Sequence, residues 1–239
     1  MRKYFDGICP VTGEIIAPGQ PVAVILDATF FSRCDGVLVA RADGRNLLWA
    51  EIATENTGHY GEMADALAYA GVRFSAFVID GRRGVRQKLM GKYPDVPIQQ
   101  CQFHQIQTVT RYLSTRPKTE AGRELRRIAL TLARTDRETL AGKLGEWHSK
   151  WGEFLREKSP NRMTGKPSFT HRRLRSAYRS LASNLPWLFT CLEHPGLGIP
   201  NTTNSCDGSF AHWKNKLRVH RGLSGERRRK MMNYFLENS

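Results

Sequence analysis

Two apolar runs, the first rich in β-branched residues and each ending on an aspartate, constrain this chain more than any other feature. Val22 to Leu26 (VAVIL) runs directly into Asp27, and Phe74 to Ile79 (FSAFVI) runs directly into Asp80. An unbroken apolar run of this kind reads as a strand covered on both faces, so helices must lie above and below the sheet. A carboxylate at the end of such a strand is costly to bury unless it lies at the sheet's rim or binds something. Both fold and chemistry are therefore anchored on these two segments.

The surrounding pattern fills in the sheet. Residues 22–31, 36–41 and 46–53 read as three consecutive strands, with Asp43 and Gly44 as a hairpin turn, which predicts an antiparallel meander. The period then changes: Tyr60, Met63, Ala64, Leu67 and Ala68 share one helical face, and that helix ends near Gly71. A strand at 74–79 follows, then a short helix around Val85 and Leu89, a strand at 96–100, and a helix carrying Ile106, Val109 and Leu113. This order predicts an α/β fold, a mixed sheet flanked by helices.

From about residue 117 to 190 the strand signal stops. Leu125, Ile128, Ala129 and Leu132 mark one amphipathic helix, Leu140, Leu144, Trp147, Trp151 and Phe154 a second, and Leu174, Ala177, Tyr178 and Leu181 a third. A polar Pro/Gly segment at 159–168 reads as a loop within this all-helical insertion, and the tryptophans read as core. After the Gly- and Pro-rich stretch 194–203, a helix begins near Asn204 with Phe210 and Leu217 inward, and a last helix at 225–236 carries Met231, Met232 and Phe235. The expected organisation is an N-terminal extension (1–20), the first part of a core (21–116), the helical insertion (117–195) and the return to the core (196–239).

Charge narrows the partners. The chain has 37 Lys and Arg against 22 Asp and Glu, a net charge of +15 over 239 residues. Such an excess favours polyanions, with nucleic acid foremost, through phosphate contacts and counterion release. Five scattered cysteines, an odd number, argue against a disulfide framework and for a reducing compartment. No run approaches the roughly 18 apolar residues of a membrane span, and no secretory pattern opens the chain, so a cytoplasmic protein with no membrane partner is expected.

Asp27 and Asp80, on neighbouring strands, would set two carboxylates side by side. That suits Mg²⁺ or Mn²⁺, which take few protein carboxylates and keep waters for a substrate phosphate. Two such ions can stabilise the attacking and leaving oxygens of an in-line phosphoryl displacement. Each aspartate taken singly is equally readable as a strand-end turn former. Asp207, three residues after Asn204, reads from spacing as the reciprocal member of a capping box with Asn204 as N-cap; the competing reading turns it toward the strand aspartates as a third carboxylate.

Asp27 in LDATFF, Asp80 in VIDGRRG, the segment QQCQFHQ, and NTTNSCDGSF followed by HRGL together resemble the Mutator-like transposases of bacterial insertion sequences. The pieces run in the same order from about residue 20 to the end. The resemblance implies a ribonuclease H-like core interrupted by a helical insertion, with Asp27, Asp80 and Asp207 as a catalytic and metal-binding triad holding two Mg²⁺ or Mn²⁺ ions. One departure stands out: where the family usually has Glu after TTN, this chain has Asp207, one methylene shorter, so its helix must approach the metals more closely.

Cys101 and His104 form a Cys-x2-His pair at the start of a helix. Alone it is half of a zinc site with no second pair nearby, and a structural or DNA-positioning role is the stronger reading. Lys214, Lys216, Arg218, His220 and Arg221 in the C-terminal stretch, and Arg172, Arg175 and Arg179 in the insertion, are candidate contacts to the DNA backbone. Residues 1–20 hold one cysteine, Cys9, too few for a zinc finger, and read as the remnant of a separate DNA-binding module. The expected function is metal-dependent cleavage and strand transfer at the ends of an insertion sequence, by a homo-oligomer on double-stranded DNA associated with the bacterial nucleoid. The alternatives are a structure-specific nuclease of the same fold and an inactive, DNA-binding remnant.

Overall fold

The apolar runs form the strands they predict. The computed structural model of the chain describes residues 8–10, 20–33, 35–160, 165–219, 222 and 224–237. Strands β1 (Ile8–Pro10), β2 (Val22–Ser32), β3 (Asp35–Ala42) and β4 (Arg45–Ile52) are followed by helix α1 (Thr57–Tyr69), strand β5 (Phe74–Ile79), helix α2 (Arg83–Lys92) and strand β6 (Ile98–Gln100). The strand order in the sheet is β1-β4-β3-β2-β5-β6. β2, β3 and β4 pair antiparallel as the expected meander, whereas β2–β5 and β5–β6 are parallel. Five strands thus make a mixed sheet flanked by helices, with β1 paired to the outer edge of β4. Asp43 and Gly44 both take positive φ (48° and 77°), the backbone of the tight turn whose twist matches an antiparallel hairpin.

Alternation along the central strands divides the core. Val24, Leu26, Phe77 and Ile79 pack toward α1 and α2 with Tyr60, Met63, Leu67, Val85 and Leu89. Ile25, Ala76 and Val78 point to the opposite face, where they meet Cys206, Phe210 and Trp213 of helix α8 (Asn204–Val219) and Leu236 of helix α9 (Gly225–Glu237). Successive side chains of a strand face opposite sides, so this division fixes the direction in which each strand-end aspartate points.

The helical unit comprises α3 (Gln102–Leu113), α4 (Glu120–Leu130), α5 (Arg137–Arg156) and α6 (Arg172–Asn184), followed by the short α7 (Thr190–Glu193). Its core joins Leu125, Leu132, Leu140, Leu144, Trp147, Leu174 and Leu181 with Val109 of α3, so the helix that leaves the sheet is shared by both units. The indole of Trp147 donates to the carbonyl of Ala121 at 3.0 Å, as its core reading requires. The loop expected at 159–168 is partly a correction: Lys158–Pro160 (β7) and Pro167–Phe169 (β8) pair antiparallel. The pair is largely exposed, so it carries no alternating apolar signature by which sequence could announce it. Among the described residues no helix is long and apolar enough to cross a membrane.

Candidate active site

Asp27 and Asp80 are brought together by strand register. Leu26 pairs with Ile79 across the parallel β2–β5 ladder, and the next residue on each chain is the aspartate. Neighbouring strands lie about 4.8 Å apart. Leu26 and Ile79 both face the α1 and α2 side, so alternation turns Asp27 toward the opposite face, where α8 packs. Asp27 is 5% exposed and accepts the Ala28 amide at 2.9 Å. Asp80, half-buried, takes the Gly81 amide on Oδ1.

Asp207 stands on the first turn of α8, next to the buried Cys206. The capping box expected from spacing does not form. Asn204 is the first residue of the helix, and the Asp207 amide bonds to the carbonyl of Thr203. The Asn204 amide, which the box would give to Asp207, donates to Thr202 Oγ1 at 3.4 Å, and the Thr203 amide donates to Cys101 Sγ at 3.3 Å. The Asp207 carboxylate instead accepts the Thr203 hydroxyl at 3.2 Å.

Cys101 and His104 sit at the start of α3, directly beneath this turn. The Cys101 side chain is fully buried and caps α3 by accepting the His104 amide at 3.5 Å. It also accepts the amide of Thr203 at 3.3 Å, and the Thr203 hydroxyl oxygen lies 3.5 Å from its sulfur. His104 Nδ1 lies 3.2 Å from Thr203 Oγ1 and 4.0 Å from Asp80 Oδ1. The Cys-x2-His pair therefore fastens the β6–α3 junction to the start of α8, and Thr203 is the residue through which it does so. Among the described residues no group of three or more His, Cys, Asp and Glu side chains is arranged to hold a metal ion.

The electrostatics follow from burial and crowding. Burial pushes the Asp27 carboxyl up to about 7, the charges of Asp207 and Asp80 add to the rise, and His104 opposes it. The hydrogen bond with Cys101 lifts His104 to about 9 against its own burial, with help from Asp80 and Asp27. Burial alone would raise the Cys101 thiol, but its bonds with His104 and Thr203 more than offset this and leave it below the ordinary range. A doubly protonated His104 can only donate from Nδ1, so the chain of bonds runs from His104 to Thr203 Oγ1 and on to Asp207. Cys206 is pushed up by burial and by Asp27, which makes it a packing thiol and not a nucleophile. Carboxylate oxygens in mutual repulsion are the donor set a hard divalent cation takes, so the residue types fit Mg²⁺ or Mn²⁺ even though the side chains are not gathered around one point.

Four glutamines around this junction are buried: Gln99, Gln100, Gln102 and Gln105. Gln102 exchanges two hydrogen bonds with Asn201, backbone to backbone at 3.0 Å and side chain to side chain at 3.1 Å, and donates to the carbonyl of Leu188. Gln99 bonds the Leu188 carbonyl and the Cys191 amide. Gln100 belongs to a closed ring in which Arg86 donates to Gln100, Gln100 and Asn184 donate to Gln105, and Arg86 donates to Asn184. These residues, with Thr203, are the functional supports that sequence reading missed. The density of glutamines in QQCQFHQ was the available signal, but nothing in the pattern says they are buried. Arg41 was missed too: buried at the end of an apolar run, it bonds Asn46, the Gly44 carbonyl and Ser209 of α8.

The candidate DNA contacts divide by their surroundings. Lys214 and Lys216 are exposed along α8, and Arg218 bonds Asn215 at 3.4 Å. His220 and Arg221 lie outside the described residues. On α6, Arg172 and Arg179 are exposed, whereas Arg175 donates to the Leu155 carbonyl and lies 3.6 Å from the ring centre of Phe169, which commits it to packing. No protein-family model matches the chain, and no curated protein matches it.

Proposed function

We propose that the chain is a metal-dependent phosphoryl-transfer enzyme acting on DNA, of the transposase kind whose motifs its sequence resembles, built on a ribonuclease H-like sheet. One observation carries the reading: Asp27, Asp80 and Asp207, far apart in the chain, come close enough that the charges of the latter two add to the rise that burial imposes on the Asp27 carboxyl. A buried carboxylate with the charges of two others near it is destabilising in itself and is relieved by a divalent cation. The antiparallel meander leading into parallel strands, with a helical unit before the third aspartate, supports the same reading.

In this mechanism Asp27, Asp80 and Asp207 would hold Mg²⁺ or Mn²⁺, and the chemistry such an ion would supply is activation of water and neutralisation of charge on the phosphate. Cys101, His104 and Thr203 position the Asp207 turn, and His104 contributes a positive charge beside Asp80. Lys214, Lys216, Arg172 and Arg179 contact the DNA backbone, and the enzyme works as a homo-oligomer on double-stranded DNA in the cytoplasm. The test is nicking and strand transfer in Mg²⁺ or Mn²⁺, with duplexes taken from the DNA flanking the coding sequence. Asp27→Ala and Asp80→Ala should each lower the rate by at least about a hundredfold; wild-type rates in either would sink the mechanism.

A second reading, a non-catalytic DNA-binding remnant, draws on the want of a gathered metal-holding group among the described residues. It predicts salt-sensitive DNA binding with no metal-dependent cleavage. Cleavage of intact duplex with no joined product from pre-cut ends bearing 3′-hydroxyls would instead assign a nuclease of the same fold.

A further inference from the structure

A cleft of about 720 Å³ opens in the helical unit, between the α3–α4 loop, the β7–β8 hairpin and the start of α6. Arg116, Lys118, Arg172 and Arg173 line it, none of its lining residues is acidic, and His171, also in the lining, is bonded to Glu157 at 2.9 Å. The contrast with a second hollow between α4 and α5 is informative. There Arg127, Lys143 and Lys150 are interleaved with Glu124 and Glu146, and Lys150 bonds Glu124 at 2.8 Å. The cationic character of the first cleft is therefore a local arrangement and not a share of the overall charge.

Several details prepare this cleft for an anion. α6 begins with Arg172 and Arg173, with no acid in its first turn and no side chain capping its amides. That is the reverse of what a helix dipole favours, so the repulsion among these groups is eased only by a negative partner. Each arginine has one edge fixed by a neutral acceptor: Arg172 donates to Ser168 Oγ at 2.8 Å and Arg173 to the Arg111 carbonyl. Arg116 and Lys118 are exposed across the cleft, and neither is paired with a carboxylate among the described residues. Concave sites lined by one sign of charge concentrate counter-charge.

The position of the cleft suggests its occupant. Cys101 and His104 mark one end of α3, and Tyr112 and Leu113, at the other end, line the cleft. A helix of 12 residues is about 18 Å long, or about five base pairs of duplex at about 3.4 Å each. We propose that this cleft binds the phosphate backbone of duplex DNA, as a second contact about one length of α3 from the three aspartates. That the polyanion is DNA rests on the function proposed above; the preference for an anion rests on the lining alone.

Binding of a fluorescein-labelled duplex, followed by anisotropy in EDTA over a range of salt, tests this directly. The double variant Arg116→Glu, Lys118→Glu should lower affinity at least about tenfold and flatten the salt dependence by about two units of slope, since each lost phosphate contact removes about 0.9. Arg127→Glu, Arg134→Glu makes the same change in net charge at exposed residues outside the cleft and should leave the slope unchanged. Equal losses in both variants, or none in the first, would overturn the proposal. Inorganic tripolyphosphate distinguishes the other source of phosphate. If it binds tightly to the wild type and not to the first variant, while duplex affinity is the same in both, the cleft holds a small anion and not DNA. Binding in EDTA requires no chemistry, so a wild type that never cleaves but shows the cleft-dependent loss would end the catalytic reading and leave this one standing.

Discussion

Thr203 Oγ1 lies 3.2 Å from Asp207 Oδ2, and the same threonine donates its amide to Cys101 Sγ at 3.3 Å. Thr203→Val keeps the shape but removes the hydroxyl from between His104 and Asp207. Because Thr203 is fully buried, the orphaned partners should cost about 1–3 kcal/mol of stability. Thr203→Ser should recover most of that cost and of the activity. Denaturant unfolding of both variants, with the metal-dependent nicking rate, checks this; a Val variant with wild-type rate would remove Thr203 from the positioning chain.

Cys101 acts as an N-cap in the structure, so its variants should order by acceptor strength. Cys101→Ala should destabilise by about 1 kcal/mol or more, the usual cost of losing a cap with an added buried vacancy. Cys101→Ser, whose oxygen is a good cap acceptor, should be milder. Purified wild type should carry substoichiometric zinc by elemental analysis; one tightly held zinc per chain would overturn the capping account.

The ring joining Arg86, Gln100, Gln105 and Asn184 stands behind the Asp80 turn, and a β-carbon at Gly81 would lie 2.8 Å from Gln100 Nε2. Arg86 also lies with its guanidinium 3.6 Å from the ring centre of Trp187. Arg86→Met should cost about 2 kcal/mol or more, since it leaves the buried Gln100 oxygen and the half-buried Asn184 oxygen short of a donor and removes the stacking cation. Gly81→Ala should lower activity more than stability, because the ring must shift where it supports Asp80. Thermal melts and nicking rates on the two variants separate these effects.

Much of this was legible in the sequence, for physical reasons that differ by element. The strands carrying Asp27 and Asp80 announce themselves because a strand covered on both faces cannot be built from anything but apolar residues. Their register also follows, since Leu26 and Ile79 each end an apolar run. Asp207 was ambiguous because a capping box and a site carboxylate need the same residue at the same spacing. The box is excluded because Asn204 already lies inside the helix, its amide goes to Thr202, and the Asp207 carboxylate takes the Thr203 hydroxyl. The buried glutamines were hidden for a related reason: their partners Leu188, Cys191 and Asn201 lie far along the chain, and local pattern cannot report a distant carbonyl or amide. The cleft at Arg116 and Lys118 needed the β7–β8 pair, whose polar strands leave no periodic trace.

The two raised ionisations at the site predict where the metal-free protein weakens with pH. Asp27 titrates near 3.8 when unfolded and near 7 when folded, so its contribution is fully present below about pH 4 and lost as pH rises through about 7. His104 adds a second window in the same direction, present below about 6.5 and lost as pH rises through about 9. A shift of this size at Asp27 corresponds to a few kcal/mol. Asp27→Asn cannot titrate, so the difference between wild type and variant isolates the first window from the opposing effects of surface carboxylates. Divalent cations should reverse the trend, because they favour the ionised carboxylate: Mn²⁺ should raise the melting temperature of the wild type more at pH 8 than at pH 5.5, and the variant little at either. A wild-type stability flat between pH 5 and 8 in EDTA, or Mn²⁺ stabilisation that survives Asp27→Asn, would contradict the assignment of Asp27 as the buried carboxylate that takes the cation.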